Sequence, residues 1–178
     1  MHLENFIKNF RLWQGVDSIF LEAPTGMGKT TFVLNQLVEN AMNKQQEVLF
    51  LSNRYLLKEQ IKHSVAKKQG IPVEDNNWLE GIGEFEGITI LSYQKIQTLM
   101  EVNNAGRYLD IKRYKYTVFD EIHYILEDSI FNPYIFYLLQ FIQKCPNTKV
   151  FMSATLAETK DYLIDSGILG KVIPYSNV

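Results

Sequence analysis

A single cysteine, Cys145, stands in the chain, so no internal disulfide can form. No CxxC pair or Cys/His cluster suggests a structural metal. No apolar run approaches the ~20 residues that span a bilayer, and the opening MHLENFIKNF has no signal-peptide core. No membrane partner is expected, and the expected setting is soluble and cytoplasmic. Charge of one sign is lacking as well. The 18 basic and 20 acidic side chains leave a net charge of −2, so contact with a polyanion has to come from a local stripe. No repeat, low-complexity tract or Pro/Gly/Ser linker divides the 178 residues, which suit one domain. With 46% apolar and 21% charged residues the composition is that of a globular rather than a disordered chain.

What is present is a rhythm. Short runs rich in Val, Ile, Phe and Leu fall at 17–22, 47–52, 87–91, 115–120 and 148–152, each too short for a helix. Helix-like segments lie between them, at about 29–43, 53–69, 92–102, 129–144 and 157–166. Pro133 suits the first turn of the fourth, where a missing N–H costs nothing. Doubly buried strands alternating with helices predict an α/β fold with a mostly parallel sheet and helices on both faces. The stretch 71–87 breaks the rhythm; it holds five acids and no base, and reads as a surface excursion.

Directly after the first run come Ala23, Pro24, Thr25, Gly26, Met27, Gly28, Lys29 and Thr30, which match the spacing of a phosphate-binding loop with Ala in the first glycine position. Gly26 and Gly28 let successive N–H groups turn inward where a Cβ would obstruct. A helix starting near Lys29 adds the positive end of its dipole. Lys29 can then reach the β- and γ-phosphates of a nucleotide, and the Thr30 hydroxyl can ligate Mg²⁺. A second carboxylate is needed at the end of another buried strand. Asp120 and Glu121 follow Val118 and Phe119 there. Adjacent strand residues point to opposite sides, so different roles are expected. Asp120 is the candidate Mg²⁺ partner through water. Glu121, near the same metal, is the candidate base for the attacking water.

These residues carry a resemblance. Asp120-Glu121-Ile122-His123 resembles the DExH form of the Walker B motif in DEAD/DEAH-type superfamily-two helicases. Residues 23–30 resemble that family's motif I, and Ser153-Ala154-Thr155 its motif III. Leu51 to Arg54, with Leu57 and Gln60, is similar to motif Ia, and Ile90 to Gln94 to the motif after it. All stand in the family's order, from 23 to 155. The resemblance implies a RecA-like first motor domain over 1–178 that binds ATP with Mg²⁺ and contacts a nucleic-acid backbone. It implies that His123, Ser153 and Thr155 couple the ATP site to strand separation. The family's adenine-reading glutamine is matched only loosely by Gln14, 15 residues before Lys29. Motifs IV to VI, which belong to a second RecA-like domain, have no counterpart here.

Arg54, Lys58 and Lys62 repeat every four residues and form one stripe along the second helix, while Leu57, Ile61 and Val65 face the sheet. The stripe, with Ser92, is the candidate nucleic-acid contact, DNA ahead of RNA. The basic, tyrosine-bearing stretch 107–116 is a further candidate for stacking or backbone contact. The aromatic segment 129–144 reads as core, with any surplus apolar surface available to a second domain. Other phosphate-loop classes fit less well: Asn43-Lys44-Gln45-Gln46 misses the last position of a GTPase NKxD motif, and no LSGGQ-like segment occurs. The alternative to a motor is a nucleotide-responsive nucleic-acid-binding scaffold without productive hydrolysis. All four arginines (Arg11, Arg54, Arg107, Arg113) precede Asp120. In the family the arginine that neutralises transition-state charge lies in the second RecA-like domain, so these residues alone are expected to bind nucleotide, turn it over slowly at best and unwind nothing.

Overall fold

Seven strands join in one sheet in the order β3-β4-β2-β5-β6-β1-β7. They are β1 (Ser18–Glu22), β2 (Glu47–Ser52), β3 (Glu84–Phe85), β4 (Ile88–Ser92), β5 (Tyr114–Asp120), β6 (Thr148–Ser153) and β7 (Val172–Tyr175). The computed structural model describes residues 7–15, 17–52, 55–71, 83–101, 109–128, 132–169 and 172–175. Strand β3 runs antiparallel to β4, and every other pairing is parallel. The five expected strands are all present, and two edge strands were not anticipated. One of them, β3, closes a hairpin at the end of the acidic 71–87 stretch, so that end is sheet rather than excursion. Its residues 72–82 lie outside the described residues.

Strands buried on both faces need two cores, and both exist. Ile19, Leu21, Val48, Phe50, Ile90, Val118 and Val150 pack on one face under Phe10, Trp13, Phe32 and Ile61. Phe20, Leu49, Leu51, Phe119 and Phe151 pack on the other under Tyr93, Ile125, Leu138 and Leu163. On that second face the rings of Phe20, Phe151 and Phe119 stack across β1, β6 and β5, with successive centroids 4.8 Å apart. Burying such rings, at roughly 25 cal/mol per Å² of apolar surface, is what holds the central strands together.

Helix α1 is a composite of an α-helical turn Lys29–Phe32, a π-helical stretch Val33–Leu37 and an α-helical end Val38–Met42. Lys68 Nζ donates to Leu34 O at 2.8 Å and to Asn35 Oδ1 at 3.0 Å, supporting the widened stretch from α2 (Tyr55–Lys68). Helices α3 (Tyr93–Glu101), α4 (Tyr124–Asp128), α5 (Ile135–Lys144) and α6 (Ala157–Asp165) complete the layers. The expected helix over 129–144 is thus shorter. It begins at Ile135, and Pro133 sits in the turn before it rather than inside its first turn. Residues 129–131 lie outside the described residues.

The strand registers place the site. Ser92 lies opposite Ser52, Ser52 opposite Asp120, Asp120 opposite Met152, and Ser153 opposite Glu22. Ser92, Ser52, Asp120, Ser153 and Glu22 end their strands on one edge of the sheet, the edge where open α/β sheets bind ligands.

Candidate active site at the strand ends

Between β1 and α1 the chain turns with two left-handed glycines, Gly26 at φ +85° and Gly28 at φ +79°. Gly28 also caps α1. A Cβ built on Gly26 meets no atom within 4 Å, so the loop is open on that side rather than packed. The loop, with Lys29, Thr30 and Thr31, borders a cavity of about 310 Å³ whose opposite wall is Asp120 and Glu121. Lys29 Nζ donates to Ala23 O at 2.6 Å, within the loop itself.

Asp120 reaches this cavity by strand periodicity. It shares the face of Tyr116 and Val118, which α1 covers, and it is buried. Glu121 reaches it differently. Continued extension would carry its side chain to the opposite face, as the sequence suggested. Instead Glu121 adopts φ +52°, a left-handed conformation uncommon for a residue with a side chain, and leaves the strand. Both carboxylates therefore border one cavity.

Ser153 Oγ organises the other side of Glu121. It donates to Glu121 Oε2 at 3.3 Å, lies 2.8 Å from His123 Nδ1 and accepts the Thr155 N–H at 3.2 Å. The Ser153 hydroxyl has one proton, and the tautomer of His123 sets which partner donates across the 2.8 Å contact. His123 Nδ1 also lies 3.3 Å from Glu121 Oε2, and its Nε2 lies 3.6 Å from Glu127 Oε1. The sequence-expected trio of His123, Ser153 and Thr155 is thus brought together with Glu121. The arrangement offers N–H groups and an ammonium to an anion, oxygen donors to a hard cation, and a positioned carboxylate to a proton.

A family model of the DEAD/DEAH box helicase matches residues 5–162. The chain belongs to the DEAD/DEAH box helicase family. Among curated proteins none matches it in sequence. The fold is similar to the crystal structure of a hypothetical ATP-dependent RNA helicase from Sulfolobus tokodaii, with TM-score 0.56 and 15% identity over 90% of this chain and 48% of that one. The chain therefore spans about half the length of that structure, and its fold is that of the family's first RecA-like domain.

Several sequence-based site expectations on this helicase-family domain need correcting. Lys62 is buried, 2% exposed, and paired with Glu59 at 3.2 Å, so it is no solvent-facing phosphate contact. Helix α2 turns Lys62 inward with Ile61 and Val65, which pack on the sheet as expected. Arg54 and the side chains of Leu57 and Lys58 lie outside the described residues. Tyr114 and Tyr116 of the basic stretch are buried: their hydroxyls bond Thr89 and Asn40, and neither ring is free to stack on a base. Arg113 is held by Glu47 at 2.8 Å. Ser92 is partly exposed and its Oγ accepts the Lys95 N–H at 3.1 Å, capping α3. Gln14 lies at the far edge of the sheet, its carbonyl accepting the Thr148 hydroxyl at the start of β6, away from the phosphate loop. Among the described residues no helix is long and apolar enough to cross a membrane.

Sequence reasoning missed two residues here. Glu22 accepts the Leu156 N–H at 3.4 Å and ties the end of β1 to the segment after motif III. Tyr93, the buried first residue of α3, donates its hydroxyl to Asp120 O at 2.8 Å. A lone Glu at a strand end carries no spacing signal, and although Tyr93 falls within the 90–94 motif, nothing in that motif announces its bond to Asp120.

Proposed function

We propose that the chain is the ATP-binding first motor domain of a nucleic-acid-dependent ATPase or helicase, coupling hydrolysis to translocation or strand separation. The observation that carries this reading is the single cavity bordered by the glycine loop, Lys29, Thr30, Asp120 and Glu121. The backbone N–H groups from Gly26 to Thr30 bind phosphate oxygens, and Lys29 leaves the Ala23 carbonyl for the β- and γ-phosphates. Thr30 and Asp120 suit Mg²⁺, since both present oxygen to the cavity. When bound, Mg²⁺ neutralises charge developing on the phosphate oxygens. Glu121 accepts a proton from the attacking water, and Ser153 and His123 orient its carboxylate. Thr155 and Ser153 carry the state of this site toward a second RecA-like domain, the expected partner.

The nucleic acid runs along the edge where Ser92 ends β4, with DNA ahead of RNA. The interior of a cell, the cytoplasm, is the compartment where such a substrate and ATP meet. Release of phosphate from ATP and Mg²⁺, measured with and without single-stranded DNA or RNA, tests the reading. Stimulation is expected once a second motor domain is supplied. ATP binding without hydrolysis under every condition would favour the scaffold reading.

A further inference from the structure

We propose that Tyr93 is a positioning residue that holds the Asp120–Glu121 peptide in the orientation the base requires. The proposal rests on the reading of Glu121 as that base.

Glu121 is one of two residues with a side chain that adopt positive φ among the described residues; the other is Gln45. Such a conformation costs about 1–2 kcal/mol and persists only where surroundings over-determine it. The rotation at Glu121 is set by the two peptide planes that flank it. The Glu121–Ile122 peptide is held by the sheet, its N–H donating to Met152 O at 3.3 Å. The Asp120–Glu121 peptide is held by Tyr93, whose hydroxyl donates to Asp120 O at 2.8 Å. With both planes fixed, φ at Glu121 is fixed, and the carboxylate meets Ser153 and the phosphate-loop cavity rather than the opposite core.

Tyr93 is itself well fixed. It is fully buried, and its ring lies parallel to Tyr124 at 5.7 Å between centroids with 3° between planes. The Tyr93 hydroxyl is the donor in the bond to Asp120 O, since a phenol has a proton to give and a carbonyl oxygen has none. Tyr93 also immediately follows Ser92, whose hydroxyl caps α3. A nucleic-acid strand that moves the start of α3 would move the hydroxyl that sets the base. The link from strand contact to hydrolysis is then one residue long.

Tyr93→Phe removes that hydroxyl and keeps the ring stack. Tyr114→Phe removes another buried hydroxyl, the one bonded to Thr89, and serves as control. Tyr93→Phe is expected to match the control in melting temperature and to keep the Kd for ATP within about twofold of wild type. It is expected to cut hydrolysis about five- to tenfold, the scale of one hydrogen bond. In a crystal structure of the variant, Glu121 is expected to leave positive φ. Hydrolysis no lower than in the control, or Glu121 unmoved at positive φ, overturns the proposal. If wild type neither binds nor hydrolyses ATP, the nucleotide reading has failed, and φ of Glu121 in Tyr93→Phe still decides whether Tyr93 holds this turn.

Discussion

Two strand ends face each other across the cavity, and each departs from extended backbone by a left-handed turn. At the end of β1 the turn is made by Gly26 and Gly28, which adopt positive φ at no steric cost. At the end of β5 it is made by Glu121, which requires support from Tyr93 on α3, Ser153 and Met152 on β6, and His123. The first end is encoded locally and survives changes elsewhere. The second depends on three residues far away in sequence, Tyr93, Met152 and Ser153, and on His123 two positions on, and it can be altered through the side chains of Tyr93, Ser153 and His123. A phosphate cradle must be rigid, whereas a base that answers to a distant strand must be adjustable.

Substitutions can break each end separately. The largest effect is expected from Glu121→Gln, which keeps the shape and removes the proton acceptor. Turnover should fall by about 10²–10⁴-fold while ATP affinity stays within a few-fold. An unchanged rate in a phosphate-release assay would remove Glu121 from the role. Lys29→Ala should do the reverse, weakening nucleotide binding about 10- to 100-fold through loss of a charged hydrogen-bond donor. Titration with a fluorescent ATP analogue and Mg²⁺ measures this.

Gly28→Ala tests the local end. A Cβ at φ +79° should cost about 1–2 kcal/mol. That appears as a melting temperature lower by several degrees, with ATP binding weakened alongside it. Ser153→Ala tests the distant end, where a few-fold loss of turnover at unchanged melting temperature is expected. If Ser153→Ala instead weakened ATP binding as Gly28→Ala does, the two ends would not be separable. The smallest effect is expected at Lys62. Because it is buried against Glu59, Lys62→Gln should leave the salt dependence of single-strand binding unchanged. A true phosphate contact would lower the slope by about one unit.

The same contrast explains what could be read from the sequence. The phosphate loop, the strand–helix alternation and the acidic strand end are local patterns, and each lies where the spacing put it. Lys62 shows the limit of periodicity. A four-residue repeat defines a helix face but not which face turns inward, and Ile61, Val65 and Lys62 together form the buried side of α2. The shared cavity for Asp120 and Glu121 depends on one backbone angle that no pattern of residue types announces. Tyr93, 27 residues before Asp120 in sequence, is brought to it only by the pairing of β4 and β5 on either side of β2.

The short strand β3 has a consequence for how the molecule behaves in a crowded solution. A sheet edge with free N–H and C=O groups invites a neighbouring chain to add a strand, and long, flat, uncharged edges do so most readily. Here the edge is two residues long, and it carries Glu84, whose carboxylate is exposed and reaches Arg113 at 3.6 Å. Glu86 follows directly in the turn, with its carbonyl taken by Gln69. A second copy approaching this side would meet negative charge and almost no length of backbone to copy. Replacing Glu84 and Glu86 with threonine would remove the charge and leave only the shortness of the strand to resist self-association.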